Sequence, residues 1–315
     1  MYLLAWRLSM PANCVKNNKE DFLMDFISAI ISGLSSGGTY AMIALGYTMV
    51  YGIAKLLNFA HGDIIMVGGY MIYVVLYMLN GPSLVAILAA VVFCVILGVL
   101  IEKFAYSPLR GASPLAVLIT AIGVSYMLQS LAQIIFGSGQ KMLVRLRIPG
   151  ALNLGTLSID YSTLITLGAT IVIMVALSLF VKYTKIGRAM IAVSEDKDAA
   201  RLMGINVNFI IVITFAIGSA LAALAGLFML MESPALTNTL GAMPGIKAFT
   251  AAVIGGIGSI PGAMVGGLLL GIIEAFASKV PEIAPYTDAI EFSILIIILL
   301  VRPSGLLGKK RREKV

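Results

Sequence analysis

KYTKIGRAMIAVSEDKDAARLMGINV, residues 182–207, is the stretch on which the fold turns. It is charged and amphipathic, and it stands between two runs, Tyr161–Val181 and Phe209–Met231, that are almost wholly apolar. Ser194 is able to cap a helix whose first turn holds Glu195 and Asp196, where the helix dipole favours acids. Arg201 then falls in the last turn, and Gly204 suits the left-handed conformation that ends a helix. The pattern predicts a compact helix over 194–204 at a membrane surface, suited to docking on a soluble partner. A solvated interfacial helix with no partner has the same composition.

Working outward, the flanking runs set the class. Sixty per cent of the residues are hydrophobic, 12% are charged and the mean hydropathy is +1.01. Soluble domains carry about a quarter charged residues, so this is the composition of an integral membrane protein. Runs long enough to cross about 30 Å of hydrocarbon recur along the chain. They are Phe26–Gly52, Ile64–Leu79, Leu84–Ile101, Pro114–Phe136, Tyr161–Val181, Phe209–Met231, Ile246–Ala277 and Ala289–Val301. The runs lack strand alternation, and lipid offers the backbone no partner, so each must be helical. Ile246–Ala277 is too long for one crossing and is interrupted at Gly258-Ser259-Ile260-Pro261-Gly262. That predicts a re-entrant pair or two short crossings. The fold expected is all-α, a polytopic membrane helix bundle of eight to ten transmembrane or re-entrant helices.

The net charge of +7 is unevenly placed. Lys182, Lys185, Arg188, Lys197 and Arg201 lie in the opening segment; Arg302, Lys309, Lys310, Arg311, Arg312 and Lys314 lie at the C-terminal end. The positive-inside rule makes both cytoplasmic, in preference to a nucleic-acid role for the basic tail. Crossing parity then puts Gly137–Asp160 outside, against the pull of Lys141, Arg145 and Arg147. The side of the N-terminus depends on whether Phe26–Leu79 crosses twice or three times. Three parts are expected: an extension over 1–23, which contains the only tryptophan, Trp6, and precedes Met24 as an alternative natural start; a permease domain over 24–307 that includes the 182–207 loop; and a basic tail over 308–315. Residues 1–23 do not read as a signal peptide. Cys14 and Cys94 supply neither a disulfide framework nor metal spacing.

No phosphate loop is present; Gly305-Leu306-Leu307-Gly308-Lys309-Lys310 has the wrong spacing and no hydroxyl. The single histidine, His61, excludes multi-histidine metal sites. Transport or channel function therefore leads over catalysis, with no cofactor expected. Asn58-Phe59-Ala60-His61-Gly62-Asp63 places an amide, an imidazole and an acid at the entry to an apolar helix, where they are costly unless paired or wet. Either they shape a gate or pathway, or Asn58 or Asp63 caps the helix beginning near Ile64 with His61 at the interface. Gly258, Pro261 and Gly262 are gate candidates because they break a span. Glu274 and Lys247 are ionisable groups in or near an apolar run, where pairing for function and snorkelling to an interface are both open. Glycines four apart, Gly33 and Gly37, Gly258 and Gly262, Gly262 and Gly266, Gly267 and Gly271, predict close helix packing.

GGTYAMIALGYTMVYGIAKLLNFAHGD (37–63), GRAM (187–190) with SEDKDAARLMGIN (194–206), MPGIKAFTAAVIGGIGSIPGAMVGGLLLGIIEA (243–275) and RPSGLLG (302–308) complete a recognisable pattern. Over roughly residues 25 to 310 the chain resembles the permease subunits of bacterial branched-chain amino acid ABC importers, the shorter of their two paired permeases. The resemblance implies an inner-membrane subunit that works with a second permease. It also implies an extracytoplasmic amino-acid-binding protein and two cytoplasmic ATPase subunits as partners. The family's ATPase-facing coupling loop matches 187–206, which assigns coupling to Gly187, Arg188, Ser194, Glu195, Asp196, Asp198, Ala199, Arg201 and Gly204. Candidate pathway or gate residues are Asn58, His61, Asp63, Gly258, Pro261, Gly262 and Glu274. The alternative within the class is a permease for urea, amides or other amino acids, and related permeases also carry simple sugars and nucleosides. A secondary transporter using Asp63 or Glu274 as a proton site is the competing class.

Overall fold

The computed structural model describes residues 12–308 apart from 57, 155 and 156, with side chains from Phe26 onward except those of 154 and 157. The start of the N-terminal extension, with Trp6, and the tail charges Lys309, Lys310, Arg311, Arg312 and Lys314 lie outside the described residues, as does the side chain of Cys14.

Helix α1, Ala12–Ala54, runs through Met24 without interruption. Helix α2, His61–Tyr73, continues as a wider π turn over Val74–Met78, and α3, Ser83–Ile101, does so over Glu102–Tyr106. Helix α4, Pro114–Phe136, shows why such segments start and stop where they do. The Ser113 hydroxyl accepts from Ala116 N at 3.3 Å, Pro114 opens the first turn, and Gly137 leaves the helix at φ +81°.

Residues 137–160 then form short extended pieces that no apolar periodicity had announced. Strand β1, Lys141–Met142, is followed by the antiparallel hairpin of β2, Ala151–Leu154, and β3, Leu157–Asp160. Two of the three basic residues that strained the charge rule are engaged locally. Arg145 donates to the Leu76 carbonyl at 2.7 Å, and Arg147 pairs with Asp160 at 2.5 Å.

Helix α5, Tyr161–Tyr183, leads to two short helices, α6, Lys185–Glu195, and α7, Lys197–Leu202, and then to α8, Val207–Glu232. Strand β4, Ala235–Leu236, returns to pair with β1. The long apolar run divides into α9, Ala242–Gly255, and α10, Ile260–Lys279, before α11, Thr287–Val301. Among the described residues eight helices are long and apolar enough to cross a membrane, and α9 is a shorter apolar helix beside them. The bundle is all-α in its membrane part, as expected.

Helices α1, α2 and α8 form the interior, while α3, α4, α5 and α11 turn apolar side chains outward. Lipid tails give apolar helices no reason to prefer each other, so contact depends on how closely backbones approach. The α1–α10 seam shows it. A Cβ on Gly37 would lie 2.9 Å from the Gly267 carbonyl oxygen, and one on Gly33 would lie 2.9 Å from Ile272 Cα. The helices are antiparallel: the Phe26 and Phe276 rings meet at 5.1 Å, tilted by 46°, and at the other end Gly52 faces Gly258. The glycine spacing did mark a tight packing face.

Candidate functional site

The segment between α5 and α8 is two helices rather than one. Thr184 caps the first, its hydroxyl accepting from Gly187 N at 2.9 Å while donating to Phe180 O at 2.7 Å. Gly187 lies so close to the Val181 backbone that no Cβ fits, and this sets the sharp bend off α5. The expected cap at Ser194 is not formed. Ser194 lies inside α6 and donates to Ile191 O at 2.7 Å, and Glu195 ends that helix instead of starting the next. Asp196, extended at φ −152°, is the cap. Its Oδ1 accepts from Asp198 N at 2.9 Å and Ala199 N at 3.0 Å. Both residue types suit a cap, and the backbone dihedrals made the choice. Arg201 occupies the last turn and pairs with Asp198 at 3.0 Å. Gly204 is left-handed at φ +80°, as its position suggested. Arg188, Ala199 and Arg201 are exposed, and Leu202 and Met203 project an apolar knuckle that is 89% and 82% exposed.

The break in the long run is Gly256–Ser259, slightly earlier than expected. Gly256 and Gly258 adopt φ +107° and +92°, which L side chains rarely adopt. Pro261 and Gly262 do not break the chain; they open α10, where proline's missing N–H costs nothing. Ser259 caps that helix, accepting from Gly262 N at 3.2 Å. On the α9 side, the C-terminal segment supplies the missing donors. Leu306 N reaches Ile254 O at 2.8 Å and Leu307 N reaches Gly255 O at 2.9 Å. The RPSGLLG stretch is thus a backbone cap on the broken helix, a role no composition signal disclosed.

Between these two regions lies a cavity of about 620 Å³. Lys55, Lys182, Ser194, Glu195, Gly258 and Pro261 are among the residues that line it, with Val181, Ile191 and Ile260 as apolar wall. The structure therefore brings two coupling candidates, Ser194 and Glu195, and two gate candidates of the broken span, Gly258 and Pro261, to one place, at the end of the bundle that carries Lys182, Lys185 and Arg188.

Asn58, His61 and Asp63 sit apart, buried in the interior. Neither Asn58 nor Asp63 caps α2, whose first residue is His61 and whose cap position is Ala60 with no side-chain bond. Asn58 accepts from the Tyr106 hydroxyl at 2.7 Å, and Asp63 accepts from Gln129 Nε2 at 2.8 Å. The His61 ring is not at an interface. It fills the notch opposite Gly46, edge-on to Tyr47 at 4.8 Å. These contacts come from three other helices, α1, α3 with its π turn and α4, out of reach of any sequence pattern; Asn58 and Asp63 are paired across the bundle, while His61 Nε2 is buried without a hydrogen-bond partner.

Glu274 is 14 residues beyond Ile260, which places it about 21 Å along α10 from the break. It accepts from Lys247 Nζ at 2.6 Å, and the same ammonium meets Asp288 at 2.9 Å and Glu291 at 3.4 Å. Of the two readings open for Glu274 and Lys247, pairing is the one observed. Lys247 is 8% exposed and Glu291 is wholly buried, so three helices are joined by charge at the end away from the cavity. No group of metal-ligating side chains occurs among the described residues.

Set beside known proteins, the chain matches the family described as branched-chain amino acid transport system / permease component over residues 29–299. It is 42% identical to the high-affinity branched-chain amino acid transport system permease protein BraD of Pseudomonas aeruginosa, across 92% of this chain and 98% of that protein. It is likewise 42% identical to the permease protein LivH of Escherichia coli K12, across 94% of this chain and 99% of that one. A partial match, 33% identity over 41% of this chain and 42% of the other, links it to the ribose import permease protein RbsC of Haemophilus influenzae. Nearly full-length identity to BraD and LivH, a match to the family over most of the chain and a bundle of membrane-length helices converge. The chain belongs to the permease components of branched-chain amino acid transport systems, as a multi-pass membrane subunit and not an enzyme.

Proposed function

We propose that this chain forms the membrane pathway for leucine, isoleucine and valine in an ATP-driven importer. It pairs with a second permease subunit, receives substrate from an extracytoplasmic binding protein and is powered by two cytoplasmic ATPase subunits. The observation that carries the reading is the shared cavity. The end of α6, through Ile191, Ser194 and Glu195, and the break, through Ile257, Gly258 and Ser259, both line it, so a push on one bears on the other. The exposed Leu202–Met203 knuckle, flanked by Arg201 and Asp198, is the docking point for an ATPase subunit. ATP binding there biases two arrangements of the bundle, open to one side or to the other. The 182–207 segment and the C-terminal end are cytoplasmic by their positive charge, and residues 137–160 are extracytoplasmic. Chain polarity then puts the start of α1 outside and Ala54 inside. A cavity with apolar walls and charged or hydroxyl groups at its rim suits a zwitterion with an apolar side chain, and passage requires that it hold substrate weakly.

The test is uptake of labelled leucine into proteoliposomes that hold this chain with its partner subunits. Uptake that requires the ATPase subunits and ATP is the expected result. Uptake by the permeases alone, driven by a proton or sodium gradient, overturns the mechanism. Uptake of urea, amides or ribose in place of leucine overturns the substrate.

A further inference from the structure

The C-terminal end of α1 has an unusual cap. The last carbonyls of a helix have no partner within it, and they carry the negative end of its dipole. Here Lys55, left-handed at φ +61°, folds back so that its own Nζ meets Gly52 O. The second cation comes from 143 residues away. Lys197, the first residue of α7, places its Nζ 2.9 Å from the Ala54 carbonyl oxygen. That bond is a polar tie between the short helices and the helix at the centre of the bundle.

Three observations make the tie more than a chance contact. Lys197 is the residue immediately after the Asp196 cap, so its backbone is fixed at the start of α7 and is not on a loose arm. Burial, and the charges of Arg110 and Arg201 against the opposing pull of Asp198, bring its pKa below the usual lysine value. Arg110 is itself fixed, bonded to Glu102 and to Asn208. Burial and the two arginines therefore disfavour a charged Lys197 there, and Asp198 and the helix end offset them. Finally, α1 is the helix whose glycines and alanine interlock with α10, and its Gly52 faces Gly258 in the break.

We propose that Lys197 is a positioning residue that transmits movement of the docked α7 helix to α1, and through α1 to the broken span. The inference rests on the reading of α6–α7 as the ATPase-docking segment, and it adds the route by which that segment reaches the pathway. Lys197 touches neither substrate nor nucleotide. Its loss therefore leaves docking and ATP hydrolysis in place while the work they deliver fails to reach the bundle.

The experiment uses the full reconstituted complex and reads leucine taken up per ATP hydrolysed, together with co-purification of the ATPase subunits. Lys197→Met keeps the length of the side chain without its charge. It is expected to lower the uptake-to-hydrolysis ratio about fivefold or more, the scale of a typical coupling energy. Lys197→Arg should recover most of the ratio. An unchanged ratio in Lys197→Met overturns the proposal, as does an Lys197→Arg variant no better than Lys197→Met. Loss of ATPase co-purification in Lys197→Met also overturns it, because the residue would then be part of the docking surface. Should Lys197→Met fail to accumulate, Lys197→Gln carries the same test. Met203→Glu separates the underlying reading. If it leaves ATPase co-purification intact, the docking assignment fails whatever Lys197 does.

Discussion

The α1–α10 seam and the α6–α7 segment hold their shapes by opposite means. In the seam there are almost no side chains to hold anything: Gly33, Gly37, Gly267 and Gly271 let two backbones touch. In the segment, Thr184, Asp196 and Asn206 each give a side-chain oxygen to a helix start, and water is never far away. The difference follows from solvent. Lipid gives no hydrophobic drive for association, so the seam lives on close packing and has no slack. At the aqueous face each cap replaces a bond water would otherwise supply, so its net worth is near 1 kcal/mol. One region should fail abruptly under substitution and the other should weaken by degrees.

The largest effect is expected in the seam. Gly271→Leu would drive a branched side chain into the backbone of α1 at Gly37. The variant should be lost to aggregation or degradation, read as the absence of a monodisperse peak in detergent. A folded Gly271→Leu protein would break the comparison outright.

Next comes the charged cluster, which lies in the membrane part but is held by side chains. Lys247→Met leaves Glu291 buried with no counter-charge, and removal of one partner from a buried pair costs about 3–5 kcal/mol. Thermal unfolding in detergent should show a marked drop. The double variant Lys247→Met with Glu291→Leu should recover part of it, because an apolar pair avoids the desolvation cost. A single variant as stable as wild type would mean that the cluster is solvated in the protein.

The smallest effect distinguishes the caps. Asp196→Ala should cost about 1 kcal/mol locally, seen as faster amide exchange in residues 197–202. Ser194→Ala should change exchange little, since its hydroxyl only bonds back to Ile191 within α6. Equal effects would return the cap to Ser194. Labelling sharpens the comparison further: with an impermeant thiol reagent on intact cells, a cysteine replacing Ser138 should react, and cysteines replacing Ser194 or Ser304 should not. Reaction at 194 would reverse the orientation.

How much could be read in advance depended on the range of the interaction. The span at Pro114–Phe136 was legible to the residue, because its Ser, Pro and Gly signals are local. The end at Gly204 was legible for the same reason. The break was found but displaced, because proline marks the beginning of a helix as readily as its interruption, and only the dihedrals of Gly256 and Gly258 separate the two. Lys247 and Glu274 were singled out, yet Asp288 and Glu291 were not, since the four meet only when α9, α10 and α11 are packed. Asn58 and Asp63 looked like caps, and their true partners, Tyr106 and Gln129, are 48 and 66 residues away.

The sequence alone determined that this is a helical membrane bundle with a punctuated basic segment and one interrupted span. The need to satisfy every backbone group in lipid leaves an apolar run no other choice. Which polar group meets which was decided only by tertiary structure. The contacts of Lys197 with Ala54, of Leu306 and Leu307 with the open end of α9, and of His61 with the Gly46 notch all join residues brought near by packing. Local chemistry chooses helices, but the partner of a buried donor is set by whatever backbone the close-packed glycines allow to approach.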